Sequence, residues 1–144
     1  RQRNEVLKSS SKRTLILSIE SDGSYGPDDT LRIVSDEYFE FDSAATPLRE
    51  YLTDERIKEY FHALSVAPAA CSSCPWVGHC IGGSANGRVV NRYSADRRFE
   101  NKSVLCEGLK SIYSHITTNM INDGLPKSAV FKRLDFAANR VATR

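Results

Sequence analysis

Apolar positions along this chain change period several times, and each change marks an element. Thr14 to Glu20 reads TLILSIE, β-branched and apolar, which predicts a buried strand. Turn signals follow at Ser21-Asp22-Gly23-Ser24 and at Gly26-Pro27-Asp28-Asp29. Leu31 and Ile33 then alternate with Arg32, so Thr30 to Val34 is expected to return as the second strand of a hairpin. Asp36 to Thr46 is acidic and reads as irregular, and Leu48, Tyr51 and Leu52 suggest a short helical turn. From Asp54 to about Leu64, the residues Ile57, Tyr60, Phe61 and Leu64 make one apolar helix face, with Thr53 as the expected N-cap.

Val66 to Val77 holds prolines and small residues and predicts a loop. Beyond Ser103, an expected N-cap, Leu105, Leu109, Ile112, Ile116 and Met120 recur at helical spacing. They predict a long helix from Val104 to Asp123, ended by Gly124, with this stripe in the core. A weaker helix is expected from Ser128 to Asn139. The whole is an α+β pattern: a small hairpin, a cysteine-rich loop and supporting helices.

Composition narrows the class. A chain of 144 residues with 40% apolar residues can form one domain with a modest core. Its apolar runs are far too short to span a bilayer, and no secretory signal is visible. Met120 is the sole methionine, so a fragment of a longer, cytoplasmic protein is expected. Residues 1–13 are polar and basic and read as a linker from an upstream domain, 14–124 as the domain itself, and 125–144 as a tail or helix.

The net charge of +2 hides an asymmetry: residues 1–19 carry +4, residues 20–60 carry −8 and residues 61–144 carry +6. No regular basic helix or aromatic–basic stripe accompanies the basic half, which argues against a nucleic-acid partner.

That basic half holds all four cysteines, Cys71, Cys74, Cys80 and Cys106. Clustering in a chain without an export signal favours a metal site over two disulfides. Structural zinc usually takes two paired knuckles, and here only Cys71 and Cys74 make such a pair. Three close thiols and a distant fourth suit an iron–sulfur cubane better. Spacing leaves both open. Cys106 falls in the first turn of the expected long helix, where negative charge is favoured. His79 adjoins Cys80 but is not needed to complete a four-thiolate set. Ser, His and Asp residues occur in no arrangement that reads as a nucleophile with its base.

The stretch Cys71-x2-Cys74-x5-Cys80-Ile-Gly-Gly, then Asn86-Gly87-Arg88, Asn91-Arg92-Tyr93-Ser94 and Phe99-x-Asn101-x-Ser103-x2-Cys106, resembles a known pattern. It is similar to the C-terminal auxiliary-cluster (SPASM, or twitch-like) domain of radical S-adenosylmethionine peptide maturases. Among these it looks most like the enzymes that form cyclophanes on ribosomally made precursor peptides. The resemblance covers roughly residues 15–124 and is most specific from Cys71 to Cys106.

The resemblance implies that Cys71, Cys74, Cys80 and Cys106 ligate one auxiliary [4Fe–4S] cluster. Ser84 stands where the usual array has a further cysteine, and Gly26 to Asp29 replace the cysteines near the hairpin, so one auxiliary cluster is implied and not two. No Cys-x3-Cys-x2-Cys occurs in this sequence. S-adenosylmethionine and the catalytic [4Fe–4S] cluster therefore belong, by resemblance, to an upstream domain, and this portion is expected to be inactive alone.

The implied partners are that domain and a precursor peptide. Arg88, Arg92 and Tyr93 are the candidate peptide-binding residues, and both arginines also suit charge compensation or plain surface exposure. Trp76 and Tyr93 read as a shield for the cluster, as a border of the peptide channel, or as core. Gly82, Gly83 and Gly87 either bring backbone N–H groups to the cluster or serve turns.

Overall fold

The computed structural model describes residues 17–83 and 89–142, with side chains described to residue 135. The expected linker, the start of the first strand, Ser84, Gly87 and Arg88 lie outside the described residues. The described residues fall into two compact units, one ending at Tyr51 and the other beginning at Leu52. The fold class is mixed α and β, with a small antiparallel sheet. No described helix is long and apolar enough to cross a membrane.

In the first unit, β1 (Ser18–Ile19), β2 (Ser24–Gly26) and β3 (Phe41–Asp42) form an antiparallel sheet in that order. Ile19 pairs with Tyr25, and Tyr25 pairs with Phe41. The hairpin is thus tighter than expected, and its return strand is Ser24–Gly26 rather than Thr30–Val34. Pro27 cannot extend the ladder. Asp28 then accepts from the Thr30 backbone N–H at 2.9 Å and from its hydroxyl at 2.7 Å. These bonds start a 3-10 turn over Asp29–Ile33, which buries Leu31 and leaves Ile33 84% exposed. The third strand lies in the segment expected to be irregular. Its Phe41 packs edge-on against Tyr51 at 5.0 Å, and Tyr25 adds a ring 5.1 Å from Tyr51.

The short helix α1 (Leu48–Thr53) runs across the boundary between the units. In the second unit α2 spans Glu55–Ser65, close to expectation, with Ile57, Tyr60 and Ala63 buried. Its N-cap is Asp54, not Thr53: the Asp54 carboxylate accepts from the Arg56 N–H at 2.9 Å and also holds the Arg56 guanidinium. Two longer helices, α4 (Cys106–Asn122) and α5 (Lys127–Ala142), follow a single-turn helix, α3 (Val77–Cys80). Gly124, at φ 98°, follows the end of α4, as its place in the sequence predicts.

The facing of α4 differs from expectation. Ile112, Ile116 and Met120 are 56%, 49% and 47% exposed, and Leu105 is exposed too. The half-buried residues are Cys106, Leu109, Lys110, Tyr113, Thr117 and Ile121, a stripe rotated by about one residue from the apolar one. Ser103 does not cap the helix, which starts after Leu105. Its hydroxyl instead accepts from the Leu105 N–H at 3.1 Å, one turn earlier.

Candidate metal centre

Three of the cysteines sit in a succession of tight turns. Cys71 ends the 3-10 turn Ala69–Cys71 and is buried, its N–H donating to the Pro68 carbonyl at 2.8 Å. The Cys74 N–H donates to the Cys71 carbonyl at 3.0 Å, and the Val77 N–H to the Cys74 carbonyl at 3.1 Å. Cys80 closes α3, and Cys106 opens α4. All four thiols are free, and all four line one pocket that opens partly to solvent. Trp76, Val77, Leu109 and Tyr113 make its apolar walls. Among the described residues, no three His, Cys, Asp or Glu side chains form a group that could hold one metal ion.

After Cys80 the backbone turns left-handed for three residues, with φ of 49° at Ile81, 65° at Gly82 and 94° at Gly83. Such angles suit glycine and are unusual for a β-branched residue. The turn aims the Gly83 N–H at the Cys80 sulfur, 3.1 Å away. It also presses backbone against neighbours: a Cβ at Gly83 would lie 2.5 Å from Ser103 Cβ, and one at Gly82 would lie 2.5 Å from Pro68 Cδ. Gly82 and Gly83 thus make the turn, and Gly83 brings an N–H to the Cys80 sulfur.

Burial pushes the Cys71 thiol up, and the neighbouring Cys106 and Cys74 add to this, while Arg92 opposes it. Burial likewise raises Cys80, against the lowering effect of the Gly83 N–H. Arg92 is the buried cation of the unit, only 1% exposed. Its Nε donates to the Phe99 carbonyl at 2.8 Å, and its Nη1 to the carbonyls of Ala63 at 3.0 Å and Val66 at 3.1 Å. This candidate peptide-binding residue thus sits inside the unit, fixed to three backbone carbonyls. Tyr93 is half-buried, its ring 5.4 Å from that of Phe99.

The residues between the third and fourth cysteines also buttress one another. Asn101 Nδ2 donates to the Arg92 carbonyl at 3.0 Å and to Ser94 Oγ at 2.7 Å. Phe99 packs against Tyr60 and Tyr93, and Ser103 seats against Gly83. Val104 N–H donates to the Asn91 carbonyl at 2.9 Å, which fixes the chain just before Cys106. His79 is exposed and does not line the pocket.

Two pocket residues went unread in the sequence, Lys110 and Tyr113. They lie four and seven residues beyond Cys106, hence on its side of the helix. Lys110 pairs with Glu107 at 2.9 Å, and the Tyr113 ring stacks on Trp76, centroids 5.7 Å apart. Comparison of the chain with protein-family models, curated proteins and solved structures found no match.

Proposed function

We propose that this chain is the auxiliary-cluster (SPASM-like) domain of a radical S-adenosylmethionine maturase that crosslinks a ribosomally made precursor peptide. The observation that carries the reading is that four free thiols, drawn from a loop and from a helix start, line one pocket. A [4Fe–4S] cluster takes one thiolate at each of four irons and suits donors set around a space. When bound, such a cluster supplies a one-electron store with no iron position left for substrate.

The chain's own residues have definable parts in this. Cys71, Cys74, Cys80 and Cys106 are the four donors. The Gly83 N–H places a hydrogen bond on the Cys80 sulfur, which lowers electron density there and favours the reduced state. Arg92 and Lys110 bring positive charge toward the thiolates from the buried and the open side of the site. Trp76, Val77 and Leu109 keep water from the sulfurs. The upstream catalytic domain, S-adenosylmethionine and the peptide are the partners this role requires, in the cytoplasm.

Anaerobic reconstitution with iron and sulfide, followed by metal and sulfide analysis, tests the reading. About four irons and four sulfides per chain are expected, falling sharply in Cys106→Ala. One zinc per chain with no sulfide sinks the electron-transfer role and leaves a structural zinc module.

A further inference from the structure

We infer that the Trp76–Tyr113 stack is a positioning clasp, which sets Cys106 against the loop thiols before any metal or cluster arrives. The inference rests on the reading that the four thiols form one site. The rings are nearly parallel, 27° apart with centroids at 5.7 Å, and both line the thiol pocket. Each ring is tied rigidly to one cysteine. The Trp76 carbonyl accepts the Cys80 N–H at 2.8 Å, so α3 and its terminal thiol hang from the tryptophan backbone. Tyr113 stands seven residues after Cys106 on the same helix, two turns and about 10 Å along the same face. The stack thus closes a ring that runs Cys80, Trp76, Tyr113, Cys106.

Apart from this stack, α4 meets the turn Ile81–Gly83 and the following helix α5, each through few residues. No residue of the helix is fully buried, and of its apolar stripe only Leu109 reaches the pocket, while Leu105, Ile112, Ile116 and Met120 are exposed. The chain before Cys106 is anchored by Ser103 against Gly83 and by the Val104 bond to Asn91. Beyond Cys106 the stacked ring is the aromatic anchor to the cysteine loop. Cys106 lies between the two anchors. With the second removed, the helix pivots about the first and its thiol loses its fixed place. A site arranged beforehand spares the binding step the cost of ordering the fourth donor.

The test compares the full chain with Tyr113→Ala and Tyr113→Phe, reduced and anaerobic, titrated with cobalt(II) as a probe of thiolate ligation. Tyr113→Ala is expected to weaken cobalt binding about three- to tenfold, the worth of one stacked aromatic pair, yet to reach the same charge-transfer spectrum at saturation. That common end point separates a displaced donor from an unfolded chain. Tyr113→Phe, which keeps the ring, is expected to stay within about twofold. In the metal-free protein the emission of Trp76, the sole tryptophan, is expected to shift to the red in Tyr113→Ala alone. Equal cobalt affinity in Tyr113→Ala and the unaltered chain overturns the clasp, as does a loss in Tyr113→Phe matching that in Tyr113→Ala. If the unaltered chain binds cobalt through four thiolates but assembles no iron–sulfur cluster, the proposed function fails and the clasp stands.

Discussion

The backbone N–H of Gly83 donates to the sulfur of Cys80, three residues earlier, at 3.1 Å. It does so because Gly83 holds φ at 94° with no side chain between it and Ser103. Gly83→Ala forces a Cβ into the Ser103 side chain and strains the backbone. A loss of about 2 kcal/mol or more in urea unfolding is expected. Reconstituted cluster content is expected to fall with it, whereas an unchanged melt places the glycine in a looser turn.

Arg92 gives a second test, because its two readings part cleanly. Replacement by Met leaves three carbonyls, two buried and one part-buried, without their donor, and about 3 kcal/mol or more of stability is expected to go. Lys, with a single ammonium in place of the guanidinium fork, is expected to recover only part of this. A peptide-binding arginine on the surface would instead change peptide affinity and leave the denaturation midpoint where it was.

The thiols set a pH dependence with opposite signs in the two states. Burial raises Cys71 and Cys80 above the ordinary value of 9.0, so at neutral pH both carry protons that ligation must displace. Affinity for zinc or cobalt is therefore expected to climb from about pH 6 to about pH 9, and a flat profile contradicts it. In the metal-free protein the folded state holds these protons more tightly than the unfolded chain. That contribution to stability is full below the ordinary value and is lost as pH rises through the raised folded values. Urea midpoints at neutral and strongly alkaline pH check this, and Cys80→Ala is expected to lessen the drop.

The outward stripe of α4 provides the fourth expectation. Ile112→Gln with Ile116→Gln replaces side chains already about half exposed. Each change is expected to alter stability by no more than about 0.5 kcal/mol. A loss of several kcal/mol in the double variant contradicts this facing of the helix.

That stripe also shows where the sequence was readable and where it was not. Helical periodicity located α2, α4 and α5 to within a few residues, since 3.6-residue spacing is written locally. It did not tell which side of α4 turns inward. The inner side is marked by Cys106 and Tyr113, and a strip with a thiol, a lysine and a threonine scores poorly as core. In the hairpin, Leu31 and Ile33 looked like a strand because alternation over three positions costs little to imitate. The Asp28 bonds to Thr30 settled a 3-10 turn instead. The clustering of the cysteines was legible from spacing, but their placement around one pocket depends on Gly82, Gly83 and Ser103, whose close approach leaves only a Gly-Gly pair to read. Arg92 offered no signal of burial at all, because the carbonyls that receive it are made by distant backbone.

Two of those carbonyls, from Ala63 and Val66, belong to the end of α2, where a helix gathers partial negative charge. The same guanidinium opposes the rise at Cys71. One cation is thus shared between a helix terminus and the Cys71 thiol. Residues 63–66 line no part of the pocket, yet they belong to the circuit that sets its charge.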